Sequence, residues 1–137
     1  MTIYSESIPL QSSKKREAIN VHSRIKAAIE KSALREGVAI VSSVHSDTAI
    51  ILLQDDPALL EQLDGYLDRL TAIGETGPSA TPLDPAPAAQ IQGALLGRQV
   101  ALTFSEARLD LGAREAVFFL ELDGIHPRSL VIKIFGE

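Results

Sequence analysis

The chain contains no cysteine. Disulfides, thiolate metal sites, iron–sulfur clusters and cysteine nucleophiles are excluded together. It has no tryptophan, four phenylalanines and two tyrosines, too few and too scattered for a platform on which bases could stack. Positive charge is in deficit: 13 Lys and Arg against 18 Asp and Glu leave a net charge of −5, which argues against a broad nucleic-acid footprint. Glycine, polar or charged residues interrupt every apolar run well before the ~18 residues a membrane-spanning helix needs. Met1-Thr2-Ile3-Tyr4-Ser5-Glu6 has neither the basic nor the apolar segment of a secretory leader. The expectation is a soluble, cytoplasmic protein with no membrane or nucleic-acid partner.

What is present is 137 residues of ordinary globular composition, 45% hydrophobic and 23% charged. That is the length of one domain, which at this size buries roughly 68% of its unfolded surface. Charge is unevenly placed. The first 36 residues are net basic and include Lys14-Lys15-Arg16, whereas Arg69 is the one basic residue between positions 37 and 97. The basic cluster reads as a solvated turn between two strands, or as a contact for phosphate or an acidic partner.

Strand patterns occupy about Ile3–Leu10 and Glu17–Val21. Ser23 is a candidate N-cap for a helix whose face is Ile25, Ala28, Ile29 and Ser32, with Gly37 placed to stop it. Val38–Val44 is β-branched and apolar, the pattern of a strand buried on both faces. Thr48–Leu53 reads as another strand. Asp56-Pro57 opens a second helix, a capping carboxylate followed by proline where no amide is needed; Leu60, Leu63, Leu67 and Leu70 share its apolar face. Residues 71–87 form a Pro/Gly-rich loop within the single 1–137 domain, since Gly77-Pro78, Pro82, Pro85 and Pro87 break regular structure. Ala88–Leu96 reads as a short helix ending at Gly97. Val100–Phe104, Ala116–Leu122 and Leu130–Phe135 complete the strands. Many strands and two or three helices, without β-α alternation, imply an α+β fold: a compact, mostly antiparallel β-sheet sandwich.

Chemistry-bearing patterns are sparse. GxGxxG, GxxxxGK(S/T) and GxSxG are absent from the sequence. His22, His45 and His126 stand far apart, with no HxH, HxxxH or HExxH pairing. His45 ends a strand, and Asp47 two residues on could orient its ring; His22 and His126 read as solvent-facing. Asp55 and Asp56 are explained by the helix start. Glu121 and Asp123 share a strand face, where paired carboxylates could hold Mg²⁺ or do acid–base work; the plainer reading is an exposed strand end with a turn-forming Asp-Gly.

As a whole the chain resembles the YjbQ family, small uncharacterised proteins also called secondary thiamine-phosphate synthases. The resemblance runs through Lys14-Lys15-Arg16-Glu17-Ala18-Ile19-Asn20-Val21, Glu36-Gly37, and His45-Ser46-Asp47-Thr48-Ala49 in place of the family's H-T-T-A-A. It continues through Asp56-Pro57, Leu95-Leu96-Gly97, Leu109-Asp110-Leu111-Gly112, Glu121-Leu122-Asp123-Gly124 and Phe135-Gly136-Glu137. It implies a β-rich α+β fold, a homotrimer, and a histidine-lined cleft associated with metal or phosphate. It also implies a transferase reaction that joins a pyrimidine diphosphate to a thiazole phosphate with loss of pyrophosphate.

The departures fall on the residues that carry chemistry. Gln90 stands where the family has its second histidine. Thr71–Pro87 offers no counterpart to a Y-R-H loop, Arg114-Glu115 replaces a W-Q pair, and a P-R-x-R segment is reduced to Ile125-His126-Pro127-Arg128. Glutamine cannot be protonated near neutrality and is a poor transition-metal ligand. Arg114 is a fresh positive charge, able to pair with Glu115 or Asp47 or to form an anion site. The resemblance therefore implies a divergent, non-catalytic or weakly active homotrimer that binds a small anionic ligand such as phosphate or serves a structural role. His45 and Arg128 are its residual catalytic positions. No metal or cofactor is expected; if any ion binds, it is Mg²⁺ at His45, Glu121 and Asp123. The alternative is a working thiamine-phosphate-type transferase in which the substituted residues serve as ligands.

Overall fold

The computed structural model describes residues 1–72 and 85–137. Among these residues eight strands and three helices follow one another as β1 (Thr2–Gln11), β2 (Glu17–Asn20), α1 (His22–Ser32), β3 (Gly37–Ser43), β4 (Thr48–Gln54), α2 (Pro57–Ala72), α3 (Pro85–Leu96), β5 (Gln99–Ser105), β6 (Arg108–Leu109), β7 (Glu115–Glu121) and β8 (Pro127–Gly136). They make two antiparallel sheets, one of five strands in the order β1-β8-β3-β5-β6 and one of three in the order β2-β7-β4. The α+β antiparallel architecture expected from the sequence is the one observed.

Two apolar layers share β7. Successive side chains of a strand point to opposite faces, and nearly all of β7 is buried. Val117 and Phe119 join Ala39, Val41, Leu130, Ile132 and Ile134 of the larger sheet, with Ile25, Ala28 and Ile29 of α1, in a layer between the sheets. Ala116, Phe118 and Leu120 face the other way, toward Leu67 of α2 and Ala89 of α3. Each fully buried Phe or Ile here contributes about 1.5–3 kcal/mol of transfer free energy. Two glycines permit close approaches between elements. A Cβ on Gly37 would lie 1.9 Å from the Phe135 carbonyl oxygen, and one on Gly93 would lie 2.6 Å from that of Ser46, where α3 rests on β4.

Several expectations are corrected. The first helix begins at His22 after Val21; no side chain caps Val21's turn, and Asn20 Oδ1 instead accepts the His22 amide at 2.9 Å. Ser23 is therefore not the N-cap. The helix stops at Ala33, which adopts the left-handed conformation itself (φ 59°), four residues before Gly37. Pro85 and Pro87, expected to exclude helix, open α3: first-turn amides have no intrahelical acceptor, so proline there loses nothing. The rest of the expected loop, residues 73–84, lies outside the described residues. On β3, buried positions alternate with half-buried ones, because no described helix covers its outer face. Leu70 is exposed. The Asp56 cap is as expected, Oδ1 accepting the Ala58 amide at 3.0 Å.

Candidate functional site

The layer between the sheets turns polar at one end. Glu121 follows Val117 and Phe119 on the inner face of β7, Thr48 follows the same face of β4, and Ser43 and Arg128 do so on β3 and β8. Hydrophobic neighbours have no partner to offer a carboxylate or guanidinium, so each of these groups must find one among the others.

They do so completely. Arg128 Nε donates to Glu121 Oε1 at 2.8 Å and one Nη to Oε2 at 2.5 Å, a two-pronged ion pair. The other Nη donates to Asp47 Oδ1 at 2.9 Å. Glu121 is 0% exposed and Arg128 7%. The Asp123 amide donates to Glu121 Oε2 at 3.3 Å, while the Asp123 carboxylate pairs with Lys15. Ser43 and Thr48 share a hydroxyl–hydroxyl bond of 2.5 Å, and Thr48 Oγ1 donates to the His45 carbonyl at 2.8 Å. Ser12 Oγ, also buried, accepts the His126 amide at 2.8 Å.

His45 is half-buried, and its Nε2 accepts the Ser129 amide at 3.0 Å. A nitrogen that accepts carries no proton, so the neutral ring keeps its proton on Nδ1. Burial, then the Arg128 charge, holds the imidazole below its ordinary pKa, against the opposing pull of Asp47 and Glu121. Burial alone would raise the two carboxylates, but the hydrogen bonds and charge of Arg128 outweigh it and keep both below the usual range. Arg128 is pushed upward, chiefly by its bonds to Glu121. The cluster at pH 7 is a neutral histidine amid three carboxylates and two cations, net negative.

The structure brings His45, Asp47, Glu121, Asp123 and Arg128 to one place, linked through Arg128. Glu121 is not an exposed strand end. Asp47 binds Arg128, not the His45 ring. Among the described residues, no group of three His, Asp or Glu side chains is arranged to hold a metal ion. Gln90 is exposed on α3. Its neighbour Gln92, which the sequence reading passed over, is buried: Nε2 donates to the Leu67 carbonyl at 3.2 Å and Oε1 accepts from Arg16 at 3.1 Å. Arg16 also reaches Asp68 at 2.8 Å, so the basic cluster contacts acidic partners within its own chain. A buried amide on an otherwise apolar stretch of α3 was the available signal. His126 is exposed as expected, but His22 is half-buried and, among the described residues, its Nδ1 has no partner.

The family model described as "UPF0047 protein YjbQ-like" matches residues 6–137. A UPF0047 protein of Methanothermobacter thermautotrophicus is 28% identical over 138 residues, covering 100% of this chain and 95% of that protein. One from Archaeoglobus fulgidus is 27% identical, covering 92% and 97%. Among solved structures, a YbjQ-like protein of unknown function from Sulfolobus solfataricus superposes with a TM-score of 0.88 at 23% identity, covering 99% of both chains. A hypothetical protein from Aeropyrum pernix superposes at 0.84 and 19%, covering 98% and 99%; at these identities the likeness is one of fold.

Proposed function

We propose, for a chain that belongs to the YjbQ-like UPF0047 family, a non-catalytic role as a homotrimeric small-ligand-binding or structural module. In this reading the His45–Arg128 cluster is a structural device. The observation that carries it is the two-pronged Glu121–Arg128 pair with Asp47 as third partner. A substrate phosphate arriving there would have to displace carboxylates from a buried guanidinium and would meet net negative charge. Catalysis of diphosphate departure needs donors aimed at the developing charge, and here the strongest donor is already engaged.

The trimer has separate support. The outer face of the five-stranded sheet is covered by no described helix, and one row across it runs Ile3, Phe135 and Val38 before reaching Thr103. The next row mixes Ser5 and Lys133 with Ile40 and Ala101, so the apolar strip is narrow; burying that strip against further copies of the chain is what favours assembly. Light scattering at micromolar concentration should return three times the 14.7 kDa chain mass; a strict monomer contradicts the assembly.

The functional reading is tested by supplying the pyrimidine diphosphate and thiazole phosphate with Mg²⁺ and following pyrophosphate. No release above the protein-free rate is expected. Coupling that disappears in His45→Ala would instead establish the transferase.

A further inference from the structure

We infer that the cleft between α1 and the β6–β7 corner binds a small phosphorylated organic molecule, held by Lys26, Arg108 and Arg114 beside His22. The cleft has a volume of about 580 Å³ and is lined by these four residues together with Ala107, Leu109, Leu111, Gly112 and Glu115, a size that suits a small ligand. It lies at the Glu115 end of β7, remote from Glu121, so the inference goes beyond the preceding reading and stands whatever the His45 cluster does.

Charge is the first argument. The chain is net −5, yet this wall carries three cations and one carboxylate. Among the described residues none of the three cations forms an ion pair. Glu115 offsets one of the three charges and leaves the wall net positive; its Oε1 accepts the Gly112 amide at 3.0 Å. The second argument is the imidazole. Among the described residues Nδ1 of His22 is buried without a hydrogen-bond partner, and native proteins rarely leave such an atom unsatisfied. Burial and the Lys26 charge lower its pKa, so the ring is neutral at pH 7 and one nitrogen remains a donor for an anionic oxygen. The third is backbone. Arg114 adopts the left-handed conformation at φ 63°, a costly state for a residue with a side chain, at the corner where it lines the cleft. Planar guanidinium groups match phosphate oxygens two at a time. The apolar wall of Ala107, Leu109 and Leu111 supplies a surface for a carbon skeleton, which inorganic phosphate cannot use.

The test is calorimetric titration of the full chain at low salt with phenyl phosphate and, separately, inorganic phosphate, with His22 ring nitrogens followed by NMR. Phenyl phosphate is expected to bind with a dissociation constant on the order of 1 mM or tighter and to shift the His22 resonances. The double variant R108Q/R114Q should weaken it about tenfold or more, since each charge-assisted bond is worth roughly that factor. R24Q, which removes one exposed cation of α1 from outside the cleft, should not. If the double variant fails to fold, K26Q alone must still weaken binding. Absence of binding at about 10 mM, equal weakening by R24Q, or binding with a stationary His22 overturns the site. Inorganic phosphate binding as tightly as phenyl phosphate overturns the organic ligand.

Discussion

The two ends of β7 treat charge in opposite ways. At Glu121, a buried guanidinium is saturated by one buried and one half-buried carboxylate. At Glu115, about 20 Å away along a seven-residue strand, three cations and an imidazole face an open cleft without partners. The first arrangement is costly to disturb and poor at binding; the second contributes little to folding and leaves its donors free. Burial, more than residue identity, separates a structural polar cluster from a receptive one.

The largest effect should come from Arg128→Met. Removing one member of a buried ion pair leaves the other uncompensated, and a loss of about 3–5 kcal/mol is expected in urea unfolding. The double variant with Glu121→Gln should recover much of it, because two neutral groups no longer strand a charge. An Arg128→Met protein of unchanged stability would erase the distinction between the ends.

Acid should act next. His45 and His22 have lowered folded-state values, so the unfolded chain binds more protons. Their contribution is fully present above about pH 6.5 and is lost as pH falls through the folded values. Asp47 and Glu121 are also lowered, so theirs is present above the ordinary carboxylate range and is lost at still lower pH. Stability should therefore fall in acid in two stages. In Arg128→Met the carboxylate stage should vanish, since burial without a cation raises Glu121.

Thr48→Val should cost about 1–3 kcal/mol by stranding the Ser43 hydroxyl and the His45 carbonyl. Asp56→Ala, which removes an exposed cap, should cost about 1 kcal/mol. At the other end of β7, R108Q/R114Q should change stability by no more than about 0.5 kcal/mol while changing binding, the reverse of what Arg128 does. Thermal and urea unfolding measured side by side would sharpen the contrast.

Local patterns in the sequence carried the strands and the Asp56-Pro57 helix start, because alternation and capping are short-range. Ala33 in place of Gly37 was not readable: tertiary packing holds an alanine in a conformation its propensity disfavours. Pro85 and Pro87 misled because proline breaks a helix interior but not its first turn. β6 is two residues long, below the length at which alternation shows. The family resemblance gathered His45, Glu121, Asp123 and Arg128, but their pairing depends on how two sheets stack, which no local spacing encodes. Glu121 did leave a trace. A carboxylate on the Val117–Phe119 face of an apolar strand calls for a buried cation.

The most direct test is NMR of Arg128 Nε–H and the His45 ring during titration with Mg²⁺ and pyrophosphate. A structural cluster predicts an Arg128 signal protected from exchange and a His45 Nε2 that stays unprotonated at pH 7, both unmoved to saturation of the titrant. A saturable shift of both signals, with Arg128 leaving Glu121, would contradict the account.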